Sequence, residues 1–340
     1  MTGLKLTQIA AVAAVATVAT AGIVGDAHAQ QNFYAGKQIN YYIGYGAGGG
    51  FDLYARLLAK HLGGHIPGKP AVVPQNMPGA GGLKSAGYMY SVAAKDGLSL
   101  CTTGEGTVID QVLNTPGADY KPAEFNWIGM MTPHYTIFFT WHTSPSKTFA
   151  DVQKRETLFG SLGSGSTDYL PRVLNKVAGA KFKLITGYRG SADVLLAVER
   201  EEVEAGFGLW QDLRERKADW IAEKKINPII FLAPQRIPEY PDVPLVNEVA
   251  TTPEGKQILD LFAHSEVGKS VFTTPGVPAD RVAVLRKAFD ATLADPAFLA
   301  DAKKSNVYLE PMTGEDLQKY VQRIVSVPRD IAAKAEEARK

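Results

Sequence analysis

Five glycines fall within residues 43–52, between an apolar segment and an amphipathic one. Glycine lets the backbone approach a bound molecule closely and adopt positive φ at low cost. A helix that begins directly after such a turn presents unpaired backbone N–H groups and a partial positive charge. The pattern therefore predicts an anion-binding turn in this part of the chain.

Two side chains of this turn have chemistry of their own. Asp52 either caps the following helix, accepting a hydrogen bond from a backbone N–H two or three residues on, or meets a ligand ammonium or hydroxyl. The cap is the preferred interpretation. Phe51 lies in the turn itself, so that its ring either faces the ligand or packs into the core.

A second glycine- and serine-rich turn, at residues 163–167, precedes another predicted helix. The hydroxyls of Ser164, Ser166 and Thr167 lie beside the expected backbone N–H groups of the helix start. They can donate to a ligand there, or they can act as ordinary helix caps. The two interpretations are equally open for each residue.

Two larger side chains extend this second set of candidates. Arg189 lies in a turn between Gly187 and Gly190, where its guanidinium can bind a carboxylate through two nitrogens or form a structural ion pair. Trp210 follows a predicted strand and can line a cleft. Packing in the core is the preferred interpretation for Trp210.

The first glycines also satisfy the G-x-G-x-x-G spacing of dinucleotide-binding folds, at Gly44, Gly46 and Gly49. That kind of site needs an acidic residue about 20 residues further on, which holds the ribose. No acid stands between Asp52 and Asp96. The sequence therefore disfavours a nucleotide, and it predicts no cofactor.

Motifs for phosphate, nucleophile and metal chemistry are incomplete. The Gly-Lys-Ser run at 268–270 resembles the end of a phosphate-binding loop, but Ala263 stands where that loop needs a glycine. A G-x-S-x-G nucleophile motif is missing from the sequence. His61 and His65 are four residues apart, but the glycines between them are expected to break the helix. We predict neither an enzyme nor a metal site.

Residues 1–29 are typical of an export signal, with one lysine, an Ala- and Val-rich stretch and a small-x-small cleavage pattern ending at Ala29. We expect export and a mature chain that begins at Gln30; an uncleaved membrane anchor is the alternative. The formal net charge of +1 gives no support to a nucleic-acid partner. The single cysteine, Cys101, lies in an apolar run and is expected to be buried.

Strand and helix patterns alternate along the rest of the chain in two blocks. Strands are predicted over residues 37–45, 71–75, 98–103, 127–131, 136–142, 157–161, 183–186, 203–207, 228–232 and 272–274. The alternation predicts an α/β fold with parallel sheets. The glycine-rich turns then lie at the carboxyl ends of strands, where open α/β sheets bind their ligands.

Several segments together resemble the Bug (TctC-like) substrate-binding proteins, the periplasmic receptors of tripartite tricarboxylate transporters. The resemblance begins with Ala-Gly-Gly-Gly-Phe-Asp at residues 47–52 and continues with Val-Val-Pro-Gln-Asn-Met-Pro-Gly-Ala-Gly-Gly at 72–82. Supporting matches follow at residues 163–167, 188–191, 240–244 and 274–278. The resemblance covers nearly the whole mature chain.

This resemblance implies an α/β fold of the two-lobed periplasmic binding kind (Venus flytrap, type II-like) with two crossovers and no catalysis. We expect residues 30–139 plus 266–340 to form one lobe and 140–265 the other. In the family, facing turns hold a ligand carboxylate through backbone amides, hydroxyls and bridging waters. The positions carried over are Ala47, Gly48, Phe51, Asp52, Ser164, Ser166, Thr167 and Arg189; Gly49, Gly104, Thr107 and Trp210 complete the predicted site.

Three positions depart from the family pattern. Phe51 stands where a small hydroxyl residue is frequent, Glu105 places an acid near the anion site, and residues 327–329 lack the usual tryptophan. The first two differences leave the ligand class open. The rings of Phe51, Tyr54 and Trp210 favour an aromatic or longer-chain acid.

The resemblance implies a monomeric periplasmic receptor for a small organic carboxylate: a di- or tricarboxylate, an acidic amino acid or an aromatic acid. Such a receptor docks transiently on membrane transporter components and does not bind nucleic acid. An exported sensor that uses the same cleft and docks on a signalling partner is the alternative.

Overall fold

The structure is a computed structural model that describes residues 33–340, apart from 105, 164–165, 189, 234–235 and 264–266. The predicted export signal lies outside the described residues, as do Ser164 and Arg189 of the predicted site and the acid Glu105. Within the described residues the chain forms two β-sheets, each packed against helices. No helix of these ranges is both long and apolar enough to cross a membrane.

The first sheet is formed by β1 (Gln38–Ile43), β2 (Ala71–Asn76), β3 (Ser99–Thr102), β4 (Asn126–Met130), β10 (Ser270–Thr273) and β11 (Met312–Thr313). Their order is β11-β4-β10-β3-β1-β2. Strands β1, β2 and β3 run parallel, so their carboxyl ends lie at one edge of the sheet. Strand β10 runs antiparallel to both of its neighbours, β3 and β4, and β11 runs antiparallel to β4.

The second sheet is formed by β5 (Thr136–Trp141), β6 (Thr157–Gly160), β7 (Phe182–Ile185), β8 (Ala205–Leu209) and β9 (Ile226–Leu232). Their order is β7-β6-β8-β5-β9. Strands β6, β7 and β8 are parallel, whereas β5 is antiparallel to β8 and β9. Every residue of β5 is buried, as expected of a strand that is covered on both faces.

The described helices follow in chain order: α1 (Gly50–His65), α2 (Leu83–Ser91), α3 (Thr107–Val112), α4 (Phe149–Lys154), α5 (Ser166–Val177), α6 (Ser191–Glu199), α7 (Trp210–Arg216), α8 (Ala218–Ala222), α9 (Pro253–Ala263), α10 (Ala279–Ala294), α11 (Pro296–Lys304), α12 (Gly314–Val325) and α13 (Arg329–Ala338). Short 3₁₀ turns lie at Ala80–Gly82, Pro122–Glu124 and Val246–Glu248. Helix α1 packs on β2 and α10, and its apolar side is spaced three to four residues apart at Ala55, Leu58 and Leu62.

The chain passes between the sheets twice, after β4 at Met130 and after β9 at Leu232. The two-lobed α/β fold is thereby confirmed. Thr136–Trp141 joins the second sheet, whereas the expected lobe limits fell after residues 139 and 265. The exact division of the chain stays a prediction. Helix α13 packs on helices α5 and α9 of the second lobe. Arg339, directly after α13, donates to the carbonyl of Leu113 in the first lobe.

The expectation of parallel sheets is wrong for part of each sheet. Two of the antiparallel strands, β5 and β10, are entered after a passage from the other sheet, and β11 is a two-residue edge strand that follows α11. A strand entered by such a passage has no βαβ crossover before it, and the crossover is what makes a strand run parallel to its predecessor.

The expected break in the first helix is also wrong, because α1 continues through Gly63 and Gly64 to His65. At Gly63 a Cβ would lie 2.3 Å from the carbonyl oxygen of Pro70, so the absent side chain permits a close approach inside the lobe. His65 and His61 lie within 2.9 Å of Asp295 and 2.8 Å of Asp301, and these pairs join α1 to α11.

Cys101 is completely buried in β3, as the sequence predicts. Burial raises the pKa of its thiol well above the ordinary range. The thiol therefore acts as a small apolar group of the first-lobe core.

Candidate ligand-binding cleft

The carboxyl ends of β1, β2 and β3 bring three loops into contact at one edge of the first sheet. Gly44 lies at their junction, where a Cβ would be 2.7 Å from the Ser85 hydroxyl and 3.2 Å from the Gly82 Cα. Only glycine allows these backbones to approach so closely. The first-lobe turn (residues 44–50) is thus held from beneath, and it leads directly into α1.

Asp52 fixes the shape of this turn from inside. Its carboxylate accepts hydrogen bonds from the Gly48 N–H at 2.9 Å, from Arg56 Nε at 2.9 Å and from Asn76 Nδ2 at 2.8 Å. The hydrogen bond from Arg56 is the main cause that lowers the pKa of Asp52 to about 2, against the opposing effect of its burial. The carboxylate is therefore ionised and fully engaged within the first lobe.

The preferred interpretation of Asp52 as a helix cap is wrong in detail. Helix α1 begins at Gly50 and its N-cap is Gly49, which makes no side-chain capping bond. Asp52 is the third helical residue and binds an N–H that precedes the cap. Its negative charge in the first turn still favours the helix dipole. Gly48, whose N–H it accepts, has φ of +86°, a conformation that glycine adopts without strain.

Phe51 lies against aromatic rings and a lysine. Its ring is stacked on Tyr45 at 4.6 Å between centroids and is tilted against His134 at 5.7 Å. The Lys269 ammonium lies 3.5 Å from the centre of the Phe51 ring, within the range of a cation–π interaction. Only 6% of Lys269 is exposed, so a charged group is held in a largely dry position.

The second lobe presents the starts of two helices, α5 at Ser166 and α6 at Ser191. Near the first, Asp168 accepts hydrogen bonds from the Ser161 hydroxyl at 3.2 Å and from Arg172 Nε at 3.0 Å. The backbone N–H of Gly163 donates to the same Ser161 oxygen. An acid in the first turn of a helix therefore supports this turn as well.

A cavity of about 650 Å³ lies between the lobes and takes its walls from both. The first lobe contributes Gly50, Phe51 and Lys269. The following residues of the second lobe and of the segment that leads into it complete the walls: His134, Thr136, Leu162, Ser166, Thr167, Ser191, Ala192, Leu195, Leu196, Glu199, Phe207, Gly208, Leu209, Asp212, Leu213 and Lys217. The helix starts α1, α5 and α6 therefore face one space, which suits an anion.

Three of the predicted site residues, Phe51, Ser166 and Thr167, line this cavity. The exposed backbone of Ala47, Gly48 and Gly49 belongs to the adjacent turn and is not part of the described cavity wall. Whether these three contact a ligand stays a prediction.

Gly104, Thr107 and Trp210 are not part of the described cavity wall, and Ser164 and Arg189 lie outside the described residues. The Thr107 hydroxyl donates to the carbonyl of Gly104 at 2.6 Å, inside the first lobe. Trp210 is 3% exposed and packs edge-on against Phe231 and Tyr240, as its preferred interpretation expects. It lines a separate depression on the second lobe.

Lys269 is the charged first-lobe residue among the many cavity residues that sequence reasoning misses. The available signal is the Gly268–Lys269 pair, which stands three residues before the predicted strand at 272–274 and directly before β10; Gly268 has φ of +52°. A Cβ on Gly268 would lie 2.1 Å from the Thr132 carbonyl oxygen, in the first passage between the sheets. In the sequence this segment resembles only an incomplete phosphate-binding loop. Lys269 reaches Phe51 through the pairing of β10 with β3 and β4, which the sequence does not show.

The family model described as tripartite tricarboxylate transporter family receptor (TctC) matches residues 54–335. A curated relative, the "UPF0065 protein in gbd 5'region" of Cupriavidus necator, is 28% identical over 251 residues. That alignment covers 67% of this chain and 71% of the relative.

Solved structures of similar fold include a TctC solute-binding protein from Polaromonas, with a TM-score of 0.68 and 19% identity over 88% of this chain and 99% of that one. An R. palustris protein solved with adipate has a TM-score of 0.61 and 19% identity, covering 89% of this chain and 98% of that one. These neighbours show the two-lobed fold.

Proposed function

This chain belongs to the tripartite tricarboxylate transporter family receptors, and we propose that it is a periplasmic receptor for a small organic carboxylate. The ligand binds between the two lobes, and the closed complex docks transiently on the membrane components of a transporter. The receptor acts as a monomer. Family members and structural neighbours are solute-binding proteins rather than enzymes, so the proposed task is capture and delivery.

The single observation that carries the proposal is the cavity between the lobes. Three helix starts and the buried ammonium of Lys269 meet there, and all of these features stabilise an anion. Adipate in a protein of similar fold supports a carboxylate as the anion. The Asp52 carboxylate does not compete for the ligand's place, because its oxygens are engaged by Gly48, Arg56 and Asn76.

A ligand that contacts both lobes stabilises the closed form of the protein. At a concentration of 100 times Kd, binding adds about 2.7 kcal/mol to the free energy of unfolding. We expect at least one member of a panel of aliphatic, amino and aromatic carboxylates to raise Tm by several degrees, whereas the matching amides do not. If every carboxylate leaves Tm unchanged at millimolar concentration, the chain is not a carboxylate receptor.

A further inference from the structure

The positive end of the cavity has an unusual composition. Lys269 lies over the Phe51 ring, and a Cβ on Gly50 would be only 3.7 Å from its ammonium nitrogen. Gly50 is the first residue of α1, so the lysine charge and the positive end of a helix lie side by side. Both have the same sign. An anionic group placed beside them is stabilised by two fields at once, in a position with little exposure to water.

The opposite wall of the cavity is mainly apolar. It is lined by leucine and phenylalanine side chains from the second lobe: Leu162, Leu195, Leu196, Phe207, Leu209 and Leu213. Leu196 is 43% exposed, although it is a large apolar residue on a helix of an otherwise well-packed lobe. Apolar ligand surface placed against this wall is removed from water together with the leucines.

The other charged side chains of the described cavity wall do not favour a second anionic group. Lys217 lies 3.5 Å from the carboxylate of Glu199, so its charge is already partly balanced. Asp212 adds a further negative charge on the same wall. With Lys269, the described wall carries two cations and two acids. A di- or tricarboxylate would therefore bring extra negative charge toward Glu199 and Asp212.

From these observations we infer that Lys269 is a specificity-determining residue, which binds the single carboxylate of a ligand whose remaining body is apolar. The inference rests on the proposed function and narrows it from carboxylates in general to amphipathic monocarboxylates. The Phe51 ring holds the lysine in place from beneath, and the leucine-rich wall of the second lobe covers the apolar body. The first lobe thus selects the head group and the second lobe selects the body.

Calorimetric titration of the purified protein with three six-carbon compounds tests this inference. Hexanoate, adipate and hexanamide have the same chain length but one, two or no carboxylates. We expect hexanoate to bind at least tenfold more tightly than adipate, and hexanamide to show no binding. Octanoate is expected to bind about 15-fold more tightly than hexanoate, because each of its two extra methylenes contributes about fourfold when buried.

Substitution of Lys269 provides a second, independent test of the inference. We expect Lys269→Met to weaken octanoate binding between about 10- and 100-fold, as for the loss of a charge-assisted hydrogen bond. Lys269→Arg retains the charge and is expected to retain more of the affinity. The control is Lys60→Met, which removes an exposed lysine of the same lobe that pairs with Asp301 at 2.6 Å. That control is expected to bind octanoate as the unmodified protein does.

The possible failures separate the inference from the function on which it rests. Tighter binding of adipate than hexanoate overturns the inference and leaves a carboxylate receptor. Unchanged octanoate binding by a Lys269→Met protein of native circular dichroism also overturns it. If no carboxylate binds, both the inference and the proposed function fail. Should Lys269→Met not fold, the comparison of the six-carbon compounds on the unmodified protein decides the matter.

Discussion

The two lobes present their helix starts to the cavity in similar ways but support them differently. In both, the third helical residue is an aspartate paired with an arginine four residues on, Asp52 with Arg56 and Asp168 with Arg172. The Asp52 side chain is 7% exposed and also binds a backbone N–H and Asn76, whereas Asp168 is 18% exposed. The first turn is therefore the more strongly cross-linked of the two.

The walls beside these helix starts differ still more. The first lobe supplies an ammonium over an aromatic ring, at Lys269 and Phe51, and the second supplies leucines and hydroxyls. The buried ammonium of the first lobe and the leucine-rich surface of the second suit a ligand with a polar head and an apolar body. Similar aspartate–arginine pairs at helix starts thus support two surfaces of different composition.

The largest expected difference between the lobes is in how much stability each loses when the aspartate at its helix start is removed. We expect Asp52→Ala to lower the free energy of unfolding by about 3 kcal/mol, since it leaves a buried network without its acceptor. Asp168→Ala is expected to cost about 1 kcal/mol, because water can replace more of its interactions. Urea unfolding of both variants measures the two costs. Equal costs would remove the distinction between the turns.

The free energy of unfolding at low pH gives a second measure of what Asp52 contributes to the first turn. The pKa of Asp52 is lowered from 3.8 to about 2 in the folded protein, so its contribution is present above pH of about 4 and lost as pH falls towards 2. The shift corresponds to about 2 kcal/mol. We expect the stability of Asp52→Asn to fall less over this range than that of the unmodified protein. Other carboxylates cancel in the difference, and parallel acid limbs would contradict the assignment.

The backbone of the two turns is expected to respond alike. Gly48 has φ of +86° and Gly163 has φ of +74°, and neither position is crowded closely enough to exclude a methyl group. Each Gly→Ala variant should lose about 1 to 2 kcal/mol of stability through the left-handed conformation alone. Gly49→Ala is the control, because its φ of −83° suits any residue and its surroundings are open. A loss at Gly49 as large as at Gly48 would show that φ is not the cause.

The smallest expected effect is on octanoate affinity when the Phe51 ring beneath Lys269 is removed. Phe51→Leu removes the cation–π contact and should weaken octanoate binding about fivefold, equivalent to about 1 kcal/mol. Phe33→Leu removes a matched contact outside the cavity, where the Lys37 ammonium lies 3.6 Å from the ring centre. That control should leave the affinity unchanged. Titration calorimetry on both variants checks the pair, and equal losses would place the effect outside the cavity.

Much of the first lobe's turn can be predicted from sequence, because glycine spacing and helix starts are local properties. The ten predicted strands likewise follow from patterns over short segments, and they match β1 to β10 to within a few residues, whereas the two-residue strand β11 is not predicted. The direction of β5 and β10 cannot be obtained in this way, because it depends on passages between the sheets. Long-range packing is what decides those passages.

The same reason explains the errors at particular residues. Glycine at position 63 is typical of a helix break, yet α1 continues through it, and the Pro70 carbonyl oxygen packs where a side chain would otherwise lie. Aspartate at position 52 is typical of a helix cap. Instead its carboxylate accepts a hydrogen bond from Asn76, which lies in a strand 24 residues further along the chain. Lys269 is separated from Phe51 by most of the chain. Only the assembled first sheet brings them together.

The most direct test of the account is a crystal structure of the protein with octanoate. We predict a carboxylate within hydrogen-bond distance of Lys269 Nζ, with the apolar chain packed on Leu195, Leu196 and Leu213 of the second lobe. One ligand would then contact both lobes, with the head group and the body divided between them as proposed. Octanoate that contacts one lobe alone, or whose carboxylate lies away from Lys269, would contradict the account.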